Sequence, residues 1–166
     1  LKKMNINFNL TLSMCNFLIY SLLNSGLKYD HLLRIAVNTK KISFSLRQRN
    51  KINESFQCTF VNFKRKNSSI KNLYYLKILS FINSINSNKC EVILTNKKRI
   101  LEGCTTNFIL VKKNKLYIPK NNYYFGITLK FIKKHTKRKI FKKDIFIKDL
   151  SLADEILLVG SGKGIV

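Results

Sequence analysis

Three places in this 166-residue chain carry residue types that could hold or move charge. The first is the run Gly160-Ser161-Gly162-Lys163-Gly164, where glycines would let backbone amides approach an anion. It is not a Walker P-loop: Leu157 stands where that motif needs glycine, and Gly164 where it needs Ser or Thr. An ordinary strand-end turn would have the same composition. The second is Gly126-Ile127-Thr128 at the start of a predicted helix. The free amides and positive dipole end of a helix favour a phosphate there, and the Thr128 hydroxyl adds a donor. A capping turn with nothing bound is the plainer alternative. The third is Glu102, one of only eight acidic residues against 32 lysines and arginines, at a predicted strand end. Lys71, by pattern alone, is one solvated lysine among many. Asp154-Glu155 read as structural, His135 as surface, and His31 as flanking a helix.

The elements that must position these groups follow from periodicity. Residues 10–23 are apolar and read as a buried strand or helix; the stretch is too short to span a bilayer, and it lacks a signal-type cleavage site. Residues 29–46 have roughly helical spacing, with Asp30 as a cap. A strand is expected near 58–63 and a helix over 70–86, its apolar face running from Ile70 to Ile85. Two hairpins follow. Segments 90–95 and 99–102 flank Asn96-Lys97-Lys98, and segments 107–112 and 115–118 flank Lys113-Asn114, with Pro119 ending the last strand. A helix then runs from Gly126 to about His135. A strand over 139–147 is interrupted at Lys143-Asp144, a helical turn spans 149–154 with Asp149 or Ser151 as cap, and a buried strand spans 155–159.

Composition bounds the class. At 45% hydrophobic residues the chain can bury a core, and it has no fixed-period repeat. The four cysteines form no CxxC pair and have no neighbouring histidine, so neither zinc nor a disulfide framework is expected, and a reducing compartment (cytoplasm or organelle matrix) fits. The formal charge of +24 suits an anionic partner, nucleic acid included. Coding bias toward AT-rich codons is the simpler account, since lysine, asparagine and isoleucine are all abundant.

The order of motifs resembles the class IV (fold type IV) aminotransferases, a pyridoxal 5'-phosphate family that includes branched-chain aminotransferase, D-amino acid aminotransferase and aminodeoxychorismate lyase. The segments are Ile70-Lys71-Asn72-Leu73, Glu102-Gly103-Cys104-Thr105-Thr106-Asn107-Phe108, Leu116-Tyr117-Ile118-Pro119, Gly126-Ile127-Thr128, Leu152-Ala153-Asp154-Glu155 and Gly160-Ser161-Gly162. A weaker match is His31-Leu32-Leu33-Arg34-Ile35. The resemblance implies an α+β fold: a mixed, barrel-like sheet core with flanking helices as the large, cofactor-binding domain (67–166, shortened at its end), after a reduced small domain and linker (1–66). It also implies that Lys71 holds the cofactor as a Schiff base and moves the α-proton, a role helped where burial or nearby positive charge keeps the amine neutral. Glu102 would face the pyridine nitrogen. Arg34, Ile127, Thr128 and Ser161 would hold the phosphate, Gly162 would offer an amide, and Tyr75 would reach the ring hydroxyl, although its spacing from Lys71 is one residue short. Leu129 and Ile118 depart from the family's usual Arg and Thr, and only about 37 positions separate Arg34 from Lys71. The expected activity is 4-amino-4-deoxychorismate lyase, serving folate synthesis. Branched-chain transamination is the runner-up, and a non-catalytic nucleic-acid-binding protein is the alternative of another class. A small anionic amino-acid-type substrate and a homodimer are implied, with no membrane association.

Overall fold

In the computed structural model, residues 11–24, 31–38, 41–48, 56–71 and 76–166 are described. The chain divides into two compact units, Leu1–Arg49 and Asn50–Val166.

In the first unit, helix α1 spans Leu12–Leu23, and its large side chains Leu12, Phe17 and Tyr20 are exposed rather than buried. Strands β1 (His31–Val37) and β2 (Ile42–Gln48) pair antiparallel, His31 opposite Gln48 and Val37 opposite Ile42. The helix expected over 29–46 is therefore a hairpin. Its apolar run, Leu32 to Val37, is short, and periodicity alone does not separate a short strand from a helix; cross-strand pairing decides.

The second unit begins with β3 (Gln57–Asn62), which pairs in parallel with β4 (Cys90–Asn96). That pairing puts β3 with the second unit, although the sequence division at 66/67 set it with the first. Between them lies helix α2 (Leu76–Asn83), which buries Ile78. Strand β5 (Arg99–Gly103) returns antiparallel to β4 and completes a three-stranded sheet. A register shift leaves Leu101 as the extra residue just before Glu102. Bulges of this kind interrupt strict alternation and re-aim side chains, and here Ile100, Leu101 and Glu102 are all buried.

Strands β6 (Asn107–Lys112), β7 (Lys115–Pro119), β8 (Ile140–Lys143), β9 (Glu155–Gly160) and β10 (Gly164–Ile165) form a second sheet in the order β10-β9-β6-β7-β8. Helix α3 (Ile127–His135) links β7 to β8, a parallel pair, and a 3-10 helix over Ile147–Leu152 leads into β9. Strand β6 explains the architecture. Phe108 and Leu110 pack with Ile93 and Ile100 of the other sheet, with Leu158 and with Ile145. Ile109 and Val111 face the opposite way, onto Leu116, Ile118, Val159 and Leu129 of α3. A strand covered on both faces reads as a nearly continuous apolar run, and this one is apolar from Phe108 through Val111.

The two tight hairpins are of the kind that match strand twist, with positive φ at both central residues: Lys97 (51°) and Lys98 (63°), Lys113 (49°) and Asn114 (57°). Lysine is a poor choice there, and each turn is held from outside. Lys97 donates its amide to Asn62 Oδ1 (3.3 Å), and Lys113 donates its amide to Asp154 Oδ2 (2.6 Å). Asp149 caps the 3-10 helix by accepting the Phe146 amide (2.8 Å). Among the described residues no helix is long and apolar enough to cross a membrane, and no cluster of metal-binding side chains occurs.

Candidate cofactor site

The connection between β5 and β6, residues 103–106, organises the site. Gly103 has no space for a Cβ, which would collide with Thr106 Oγ1 and sit 3.0 Å from Glu91 Cγ. Beneath this turn lies Glu91, with no exposed surface. Its Oε2 accepts the hydroxyls of Thr105 and Thr106 and lies 3.3 Å from Lys163 Nζ. Lys163 also donates to the Cys90 carbonyl (3.1 Å). The lysine of the glycine-rich run is thus committed inward, to a buried ion pair.

On one side of the turn is Glu102, 3% exposed. Arg65 grips it with one edge of its guanidinium: Nε donates to Oε1 (2.8 Å) and Nη2 to Oε2 (2.9 Å). The Tyr124 amide donates to Oε2 as well (2.9 Å). Burial pushes the Glu102 carboxyl up from its ordinary value, while the Arg65 charge and the Tyr124 amide pull it back. On the other side of the turn, Asn107 Nδ2 donates to the Tyr124 carbonyl, and Oδ1 accepts the Gly126 amide (3.1 Å). Asn107 therefore fixes both ends of the segment that delivers α3. A Cβ on Gly126 would come within 2.7 Å of that same Oδ1.

Lys71 is exposed rather than buried, and its Nζ lies 5.9 Å from the centre of the Tyr124 ring. Through Tyr124, then, Lys71, Glu102 and the start of α3 share one neighbourhood. Helix α3 has no side-chain cap at Gly126 and no acidic residue in its first turn. Its leading amides are suited to an anion. The Ile127 side chain is 75% exposed, so only its backbone could serve, and Thr128 is half-buried. Ser161 is exposed and Gly162 half-buried in the turn after β9; Gly160 at the head of that turn packs so close that a Cβ would stand 3.0 Å from the Thr105 carbonyl. Arg34 belongs to the first unit, exposed on β1 opposite Ser45. Tyr75 lies outside the described residues.

Sequence reading missed Arg65, Glu91, Tyr124 and Asn107. Glu91 had a visible signal, a carboxylate inside the apolar run 90–95 of a chain poor in acids. Arg65 had none, since its meaning depends on a partner 37 positions away.

The donor set fits pyridoxal phosphate. A buried carboxylate can accept from a pyridinium N–H, uncapped helix amides can meet a phosphate, and an accessible amine stands beside them.

No curated protein sequence matches the chain. Solved structures do. A Legionella pneumophila protein designated a 4-amino-4-deoxychorismate lyase superposes with a TM-score of 0.78 at 18% identity, over 99% of this chain and 70% of that one. A Mesorhizobium loti protein designated an amino-acid aminotransferase gives 0.81 at 14%, over 98% and 83%. A Thermotoga maritima protein designated a branched-chain amino acid aminotransferase gives 0.78 at 19%, over 99% and 65%. The fold is that of the fold type IV pyridoxal-phosphate enzymes. The family model for amino-transferase class IV matches residues 4–166, and the chain belongs to that pyridoxal-phosphate-dependent family.

Proposed function

We propose that this chain is a pyridoxal-phosphate enzyme whose reaction is the elimination of pyruvate from 4-amino-4-deoxychorismate, leaving 4-aminobenzoate. The observation that carries the cofactor half is the cluster of Lys71, Tyr124 and Glu102 beside the uncapped start of α3. When bound, the cofactor supplies an electron sink for the carbon that carries the substrate amine. Glu102 would accept the ring N–H, and the Ile127 and Thr128 amides, the Thr128 hydroxyl, Ser161 and the Gly162 amide would hold the phosphate. The family resemblance would also assign Arg34 to the phosphate and Tyr75 to the ring hydroxyl. Lys71 Nζ takes the proton from the amine-bearing carbon. The ring carbon–oxygen bond to the enolpyruvyl group then breaks, the ring becomes aromatic, and a proton returned to the enolpyruvate methylene gives pyruvate. The surrounding positive charge favours a dicarboxylate substrate. The choice of lyase over transaminase rests on the Lys71-Asn72-Leu73-Tyr74-Tyr75-Leu76 segment, which resembles the lyase and D-amino acid branches. Branched-chain transamination is the runner-up. The acting form is read as a homodimer by family analogy, which sedimentation would check.

The test is uptake and fixation. Borohydride reduction of the cofactor-loaded chain should leave a pyridoxyl adduct on the peptide containing Lys71, and Lys71→Ala should abolish it. A wild-type chain that carries no adduct ends the reading. Release of 4-aminobenzoate from aminodeoxychorismate, against glutamate formation from leucine and 2-oxoglutarate, separates the two reactions.

One observation favours the nucleic-acid reading. Nine of the 32 lysines and arginines fall within residues 126–148, on or beside α3 and β8, and all but Lys143 are exposed. Phe131 and Phe141 lie exposed among them. Salt-sensitive binding of single-stranded nucleic acid, unchanged by Lys71→Ala, would support that reading.

A further inference from the structure

The Glu102 side chain is 4% exposed, and its charged form is disfavoured by that burial. Left alone, such a carboxyl drifts toward the neutral acid, whose O–H is a donor and whose carbonyl is a far weaker acceptor for a ring N–H than a carboxylate. The geometry around it opposes this. Arg65 Nη2 lies 2.7 Å from Oε1 as well as donating to Oε2, and Nε completes the fork on Oε1. Nη2 also donates to the Ser68 carbonyl (3.2 Å), which braces the guanidinium against its own loop. A carboxylate has about four acceptor positions. Nη2 and the Tyr124 amide occupy the two on Oε2, and Nε occupies one on Oε1. With Nη2 also 2.7 Å from Oε1, at most one position on that oxygen is left.

We propose that Arg65 is a positioning residue for the cofactor's ring nitrogen: its forked donors hold the buried Glu102 carboxylate charged and determine which single lone pair remains for the ring N–H. The proposal rests on the reading of Glu102 given above. A planar fork suits this task where a lysine would not, because one ammonium cannot engage both oxygens in fixed directions. A merely structural Arg65 would be needed for folding but would leave the charge on Glu102 to its other neighbours.

The chain has only four glutamates, so carboxyl-carbon NMR on the full chain with labelled glutamate is sparse enough to follow Glu102, assigned by Glu102→Gln. In Arg65→Met the Glu102 titration midpoint is expected to rise by about 1–3 pH units, the usual effect of an adjacent arginine. Arg65→Lys, which keeps the charge, should raise it by a smaller but measurable amount. A wild-type midpoint in folded Arg65→Met overturns the proposal. If that variant does not fold, a wild-type midpoint in Arg65→Lys overturns it equally. These titrations are run without cofactor. A chain that takes up no pyridoxal phosphate therefore defeats the functional reading separately, while the midpoint still decides whether Arg65 governs Glu102.

Discussion

Replacing Lys163 with methionine tests whether the buried pair under the 103–106 turn holds the site together. Methionine keeps most of the side chain's length and apolar stem, including its place over the Phe56 ring, and removes the charge. Glu91 has no exposed surface and would keep three neutral donors: the Thr105 and Thr106 hydroxyls and the Val92 amide at 3.1 Å. Breaking one side of a buried pair costs about 3–5 kcal/mol. The three retained hydrogen bonds put this case near the low end, about 3 kcal/mol by the same rule. For a unit of this size, 1 kcal/mol moves Tm by roughly 2–8 °C, so a fall on the order of 10 °C is expected. The informative assay is a double-mutant cycle by urea denaturation with Lys163→Met, Glu91→Gln and the pair. The double variant should recover much of the loss, because the orphaned charge is gone. A Lys163→Met loss under about 1 kcal/mol, the size of an ordinary exposed pair, would refute the reasoning. So would a double variant less stable than either single one.

Gly103→Ala should cost about 1–3 kcal/mol through overpacking against Thr106 and Glu91 and should weaken cofactor uptake, both read by denaturant titration with and without pyridoxal phosphate; wild-type stability would show that the turn yields. Because burial raises the folded-state carboxyl of Glu102, its contribution to stability is present below the ordinary value of 4.5 and is lost as pH rises through the folded value. The stability of wild type relative to Glu102→Gln should therefore increase on acidification toward 4.5, and the opposite slope in paired pH-dependent melts would contradict this. Cys104 is pushed up to about 12, by burial first and then by the Glu91 and Glu102 charges. Its thiolate is thus roughly 1000-fold scarcer than at the ordinary value, and iodoacetamide at neutral pH should label it far more slowly in the native chain than in urea, as peptide mapping would report.

What the sequence could disclose depended on whether a feature was local. The β6–β7 hairpin was readable almost to the residue, because a doubly buried strand writes an unbroken apolar run and its turn residues interrupt it. The start of α3 at Gly126 was readable for the same reason. The β1–β2 hairpin was not, since its register is fixed by pairing across the turn and not by period. In the site, Glu102 stood out because acids are rare here, and Lys71 only because of the motifs that follow it. Arg65 and Lys163 looked like two more basic residues in a chain full of them. Each acquires its role from a carboxylate distant in sequence and adjacent in space.

The same adjacency gives the 103–106 turn more influence than its length suggests. Upstream it ends the strand that carries Glu102, which the proposed reading makes the acceptor for the ring N–H. Downstream it begins the strand whose first residue, Asn107, anchors Tyr124 and Gly126 and so aims the amides of α3. Laterally its Thr105 carbonyl abuts Gly160, where the Ser161 turn starts. On the proposed reading, the two ends of a bound pyridoxal phosphate, ring nitrogen and phosphate, would both be referenced to one short connection, which Glu91 ties to the core. A perturbation there should weaken ring and phosphate contacts together. A substitution confined to one arm, such as Thr128→Val, should weaken phosphate binding and leave the Glu102 titration where it was.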